Sequence, residues 1–330
     1  MTARTHLIVT PIARNFALAS IVFALAAIPA IARAGDEAQK PIAGVGPTGP
    51  LVDIQGEFKF TEGPAADRQG VVYFTDVPNA KVYKVGPDNK ATIFRAESNY
   101  TNGQMFNSAG ELLGCESKTG RIVAVAADGK TVRTLADQYK GKRFDRPNDL
   151  CIDSAGGVYF TDPHFGVPLT VDEHQVYYIA PDGTVTGLLR DLKYPNGVIL
   201  SPDEKTLYVI PTAQADMMAY PIESPGKLGP GRVFCRLEQL PPHKTGGGDG
   251  LTVDTKGNLY ITSAAGVQVF DSQGKLLGML KMPIDPTTSK PMIPSNCTFG
   301  GPDFKWLYIT ARTKVFALPM EATGQQFGRK

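Results

Sequence analysis

The chain repeats itself six times. The segments EGPAADRQGVVYFTD from Glu62, NGQMFNSAGELLGCE from Asn102, NDLCIDSAGGVYFTD from Asn148, NGVILSPDEKTLYVI from Asn196, DGLTVDTKGNLYITS from Asp249 and NCTFGGPDFKWLYIT from Asn296 share one grammar. Each opens on a side-chain oxygen, runs into an apolar stretch, turns on Asp, Ser or Asn with Gly, and continues as a second strand rich in Tyr, Val and Ile. The openings lie 40, 46, 48, 53 and 47 residues apart. A period of that length means one supersecondary unit stacked on copies of itself, because no single unit can bury its own apolar face.

Strands can be counted inside a unit. In the fifth, the runs 251–253, 259–262, 267–270 and 276–280 are separated by Lys256-Gly257, Ala265-Gly266 and Gln273-Gly274, pairs that place Gly where a tight turn needs positive φ. Nothing has the 3.6-residue period of a helix over a useful length. With 35 Gly and 26 Pro among the turns, the fold class is all-β. The expected architecture is a six-bladed β-propeller with four antiparallel strands per blade, closed into a ring so that no sheet edge is left open. The sixth unit lacks its outermost strand, since only a polar tail, 320–330, follows the run 315–318. The run 51–54 is expected to supply that strand and close the ring from the N-terminal side. The propeller domain thus spans 51–319, and the Pro/Gly-rich stretch 35–50 reads as a flexible leader.

The N-terminus belongs to no blade. Arg4 and Arg14 precede an apolar run from Phe16 to Ala32, and Ala32-Arg33-Ala34 offers small residues where a signal peptidase reads them. This is the pattern of a secretory signal peptide over 1–34. The expected location is secreted, in a bacterial periplasm, with the mature chain beginning at Gly35. Removing three Arg and no acid turns the net charge from +2 to −1. A near-neutral body without a basic cluster excludes nucleic acid as a natural partner. No later segment is apolar enough to cross a membrane, and no protein partner is evident. Export permits disulfides among Cys115, Cys151, Cys235 and Cys297, but Cys151 and Cys297 sit in apolar strand patterns that favour buried thiols.

In a propeller the first strand of each blade lines the central channel. The residues opening those strands, Glu62, Asn102, Asn148, Asn196, Asp249 and Asn296, therefore form an oxygen ring at one rim. Polar groups facing each other in a tight channel must satisfy one another, bind water or bind an ion. Glu62 and Asp249 carry two negative charges, enough for one divalent cation, and Asn148 and Asn196 add neutral oxygens. A set without His or Cys suits a hard ion, Ca²⁺ before Mg²⁺ or Mn²⁺, with Zn²⁺ the poorest match.

The motifs EGP at Glu62, RPNDL at Arg146, YPNGV at Tyr194, GGDGL at Gly247 and FGG at Phe299 resemble the senescence marker protein/gluconolactonase/regucalcin family. The phrase YFTDPHFG at Tyr159 resembles its bacterial gluconolactonase branch. The resemblance covers about 54–318 and implies a metal-dependent hydrolase of sugar lactones on a six-bladed propeller. By motif, the family's metal ligands fall on Glu62, Asn196 and Asp249, with Asn148 on the metal or on substrate. Its substrate-contacting arginine falls on Arg146.

Lactone hydrolysis needs a polarised carbonyl, an activated water and a stabilised oxyanion, and a divalent ion with an open position serves as the Lewis acid. Asp249 is the expected general base. Asp149 is the second choice, because a residue adjacent along a strand should point away from the channel. Asn102 and Asn296 are expected to meet sugar hydroxyls, and His164 to stand near the mouth, where it could move a proton. Without a G-x-S-x-G motif a serine esterase is disfavoured, and without G-x-G-x-x-G so is a nucleotide-dependent oxidoreductase. Two other readings use the same scaffold. One is a phosphotriesterase or arylesterase at the same metal site; the other is a ligand-binding propeller without catalysis.

Overall fold

The computed structural model describes Met1 and residues 39–166, 175–190, 192–240 and 246–328. The expected signal peptide, apart from Met1, lies outside the described residues. Among those described, the strands form six antiparallel sheets and one small hairpin, Gln138–Tyr139 with Lys142–Arg143. A single 3₁₀ turn, Val77–Asn79, is the only helical element among them. In the fifth blade the strands are Leu251–Val253, Leu259–Ser263, Gly266–Phe270 and Leu276–Leu280, within one residue of the expected bounds. The fourth blade departs from the pattern. Its long strand Asp216–Ser224 pairs with both Lys227–Leu228 and Arg232–Arg236, giving five strands.

The turn between first and second strands has a local cause. Asp67 Oδ1 accepts the N–H groups of Gln69 and Val71, both at 2.9 Å. Asp254 does the same for Lys256 and Asn258, and Asn107 for Ala109 and Glu111. A short acceptor side chain thus replaces the ladder while the chain reverses.

The inner strands are Thr61–Ala66, Thr101–Phe106, Leu150–Ile152, Pro195–Leu200, Leu251–Val253 and Asn296–Gly300. Each packs against the next, and the last packs against the first, so the arrangement is a six-bladed ring. Two devices hold neighbouring blades together at the rim. Threonines of the second strands reach sideways: Thr75, Thr161 and Thr262 donate their hydroxyls to the carbonyls of Asn102, Asn196 and Ser295 in the following blades. Each such neutral bond contributes about 1 kcal/mol. Glycines let neighbouring blades approach, through backbone or side chain. A Cβ at Gly63, where φ is +42°, would stand 2.0 Å from the Asn102 carbonyl oxygen, and one at Gly250 would stand 2.0 Å from Asn296 Cγ. The apolar core is correspondingly a circle of interfaces between blades rather than a central cluster.

Residues 39–50 and the polar tail are packed where they are described. In the leader stretch, Val45 is buried against the fifth and sixth blades, and the Thr48 N–H donates to the Pro319 carbonyl. The polar tail buries Met320, Ala322 and Phe327. Both have one cause: a few apolar residues at the right places anchor a segment whose average composition is polar. Val52–Ile54 pairs antiparallel with Lys314–Pro319, as the outermost strand of the sixth sheet. All four cysteines are buried and unbridged.

Candidate active site

The ring positions are set by irregularities at the head of each inner strand. In the third blade Asn148 N–H donates to the Thr161 carbonyl, while Thr161 N–H donates to the carbonyl of Asp149, so two residues oppose one. This is a β-bulge, and it re-aims a side chain that strict alternation would send to the other face. Asp149, expected to point away, consequently lies buried in the channel with Glu62 and Asp249. The same two-to-one pairing sets Asp249 and Gly250 against Thr262.

In the sixth blade the bulge moves the register by one residue. Ser295 N–H donates to the Thr310 carbonyl, and Gly250 N–H donates to Ser295 O as Gly197 N–H does to Asp249 O. Ser295, not Asn296, therefore occupies the ring position, and its hydroxyl donates to the Thr61 carbonyl at 2.7 Å. Asn296 stands one step deeper, level with Asp149, and its amide donates to Asp149 Oδ2 at 3.4 Å. The residue after the ring position is Gly63, Gly103, Gly197 or Gly250 in four blades, which leaves room for Asp149 and Asn296 to meet.

Asn196 donates from Nδ2 to Asp249 Oδ1 at 2.7 Å and to Thr212 Oγ1 at 3.0 Å. Glu62 Oε2 accepts the N–H of Gly63 at 2.9 Å. Asn148 is buried, whereas Asn102 is half-buried. Electrostatically the site is under tension. Burial and the charges of Asp249 and Asp149 push Glu62 well above the usual carboxylate range. Burial raises Asp149 to about 7, with Asp249 adding to the shift. Asp249 rises to about 6 through burial, opposed by the Asn196 amide and the charge of Arg312. None of the three carboxylates forms an ion pair among the described residues. Nor do three His, Cys, Asp or Glu side chains gather there as a metal cluster. Any ion would need the amides as well as the acids.

Arg146 and His164 stand at the rim, outside the ring. Arg146 donates from Nη1 to the Phe165 carbonyl at 2.6 Å, and its own N–H donates to Asp162 Oδ1. His164 lies 5.6 Å from the Tyr194 ring, on which Phe165 stacks at 5.5 Å. Asp162, pushed by burial to about 7, holds the rim loop through the N–H groups of Asp145 and Arg146. Asp76 holds those of Lys59 and Phe60 in the first blade. The repeated phrase YFTD was the available signal for this pair of holdfasts, since its Thr ties the next blade and its Asp ties the rim. Arg312 carried no motif.

The opposite end of the channel is closed. Gln325 N–H donates to the Val253 carbonyl, Thr255 N–H to that of Thr323, and Phe327 joins the core of the third to fifth blades. Between this plug and the ring lies a cavity of about 60 Å³. Gln104 lines it, and its buried amide nitrogen has no hydrogen-bond partner among the described residues.

Six blades in a ring, with buried acids and amides converging near one rim, define a channel site lined by side-chain oxygens. Residues 60–313 match the model of the SMP-30/Gluconolactonase/LRE-like region, and the chain belongs to that family. It is 31% identical over 301 residues to a gluconolactonase of Zymomonas mobilis, covering 81% of this chain and 82% of that one. Among solved structures it is similar to XC5397 of Xanthomonas campestris, described as a gluconolactonase, with TM-score 0.71, 31% identity and 82% and 89% of the two chains covered. A calcium-binding regucalcin of Agrobacterium tumefaciens shares the fold at TM-score 0.69 and 18% identity, over 84% of this chain and 96% of that one.

Proposed function

We propose that the chain hydrolyses sugar lactones with the help of one divalent cation, calcium first, held at the channel mouth. One observation carries this reading: Glu62, Asp149 and Asp249 are all buried at the ring, where burial raises all three and the charge of Asp249 adds to the rise of the other two, without an ion-paired cation among the described residues. Buried like charges of this kind call for a positive partner. Glu62, Asn148, Asn196 and Asp249 fit a hard ion, offering two charges and two amide oxygens without thiolate or imidazole. Binding would turn the Asn196 amide so that its oxygen replaces the nitrogen now facing Asp249. When bound, the cation would polarise the lactone carbonyl and stabilise negative charge on its oxygen.

The remaining work falls to side chains. Asp249 takes a proton from the attacking water as its oxygen bonds to the carbonyl carbon, and returns it to the alkoxide as the ring C–O bond breaks. Asp149 and Asn296 form the floor, where their mutual hydrogen bond keeps the acid turned into the site. Asn102, Asn296 and Arg146 meet sugar hydroxyls, and His164 borders the mouth. The plugged far end makes the mouth the single route for substrate and product, with the Val52–Ile54 strand closing the ring. The test is hydrolysis of glucono-1,5-lactone before and after chelation, with bound metal measured. Chelation should abolish turnover and Ca²⁺ should restore it. Turnover insensitive to complete metal removal would sink the proposal. Preferred turnover of aryl esters or phosphotriesters would assign another substrate, and metal binding without any turnover would assign a binding propeller.

A further inference from the structure

Above the oxygen ring stands a second tier, of which the proposed function uses only Arg146 and His164. Two residues before the ring positions come Phe60, Tyr100, Arg146, Tyr194, Gly247 and Ile293. Three of these are aromatic, and each is met by a basic side chain. The Arg312 guanidinium lies 5.0 Å from the Phe60 ring centre, Lys118 Nζ lies 5.5 Å from that of Tyr100, and the His164 ring lies 5.6 Å from that of Tyr194. Arg146 completes the tier in the third blade, whose floor residue is Asp149.

The backbone ties this collar to the ring below. The Arg312 carbonyl accepts both the N–H and the hydroxyl of Thr61, the residue before Glu62. The Lys118 N–H donates to the Asn99 carbonyl, just ahead of Tyr100. Arg312 itself has the left-handed backbone, φ +58°, as do Tyr100, His164 and Tyr194, a strained setting for bulky residues.

Arg312 and Lys118 are exposed, and no carboxylate pairs with either of them, or with Arg146, among the described residues. Asp249, in the ring below, feels the charge of Arg312 without pairing with it, and the other acids near the collar are held elsewhere. Glu116 is held by Arg95 at 2.7 Å and Arg121 at 2.6 Å, and Asp76 and Asp162 lie buried under backbone N–H groups. The Phe60 and Tyr100 faces hold Arg312 and Lys118 in place while leaving their outer sides open to solvent, and the Phe165 carbonyl holds Arg146.

We propose that the collar receives an anionic substituent, a carboxylate or a phosphate, carried by the lactone at the end away from its ester. The substrate class is then acidic sugar lactones, with C–H faces of the sugar against Phe60, Tyr100 and Tyr194 and the anion against Arg312, Lys118 and Arg146. This deepens the lactonase reading and rests on it for turnover, though not for binding.

The experiment has two arms. In the first, kcat/KM is compared for glucono-1,5-lactone, its 6-phosphate and glucaro-1,4-lactone. At low salt an anionic lactone should be preferred by about tenfold, the size that two exposed charge pairs supply together. High salt should erase the preference, and so should the double variant Arg312→Met with Lys118→Met. The phosphate and carboxylate probes tell which anion the collar takes. In the second arm, gluconate, 6-phosphogluconate and glucarate are titrated by calorimetry onto Ca²⁺-loaded protein, wild type and double variant. Tighter binding of an anion-bearing acid, lost in the variant, supports the collar even if no lactone is hydrolysed, an outcome that would remove only the lactonase reading. Equal binding of all three acids, or a preference that survives in the double variant, overturns it.

Discussion

At one end of the channel Glu62, Asp149 and Asp249 are buried with their pKa values driven upward, chiefly by that burial. At the other, the tail lays its N–H groups on the carbonyls of the fifth and sixth blades and buries Phe327. The same six strands run between them. The mouth therefore stores unfavourable electrostatics and the plug supplies ordinary packing, so chemistry and stability are separated along one axis. Substitutions at the mouth should change rate and metal binding, and those at the plug should change stability.

The sharpest test of that division compares two carboxylates of the mouth. Glu62→Gln and Asp249→Asn each remove one charge and keep an oxygen donor. Metal affinity should fall in both by about 10- to 1000-fold, roughly 1.4 to 4 kcal/mol. Excess Ca²⁺ should largely rescue Glu62→Gln. Asp249→Asn should stay at least about 100-fold slow with its metal refilled, the lower bound for losing a general base. Equal recovery of both variants would reduce Asp249 to a ligand.

The plug offers the opposite expectation. Phe327→Ala should cost about 3 kcal/mol, the usual scale for deleting a buried aromatic side chain, and lower Tm by about 5 to 10 °C. KM for glucono-1,5-lactone below the transition should stay within about twofold, since a twofold change corresponds to only about 0.4 kcal/mol. A loss of activity with Tm unchanged would contradict the separation of the two ends.

How much of this was legible from residues alone differs between the same two regions. The sixfold repeat, the blade strands and the channel-facing Glu62, Asn148, Asn196 and Asp249 follow from period and turn chemistry, which are local properties. Asp149 and Asn296 were displaced because alternation counts residues, and a bulge adds one without changing any letter. The clue was the residue after the ring position. It is Gly in four units, and aligning Ser295 rather than Asn296 makes the exceptions Asp149 and Asn296, the pair that meets in the floor. The plug was hidden by averaging, because Met320, Ala322 and Phe327 are few among polar neighbours. Arg312 reaches the mouth only through ring closure, a contact across the whole length of the propeller.

The smallest expected effect concerns pH, and it follows from the tension at the mouth. A carboxyl whose pKa is higher in the fold than in the unfolded chain keeps its proton longer when folded. As pH rises from about 4, the unfolded chain ionises first, so the folded state loses stability until the pH passes the folded values. Asp249 at about 6, Asp149 and Asp162 at about 7, and the raised Glu62 place this loss between about pH 4 and pH 7. In the presence of a chelator, Tm should therefore fall by about 3 to 5 °C between about pH 5 and pH 8, then level off. Saturating Ca²⁺ should flatten or reverse the trend, because it stabilises the ionised acids that the empty ring penalises. The residual slope should trace to Asp162, which lies outside the ring. Phe327→Ala should shift both curves down in parallel without changing their shape. A chelated protein that gains stability over this range would mean that the acids of the mouth are not under tension, and the contrast between the two ends would lose its electrostatic half.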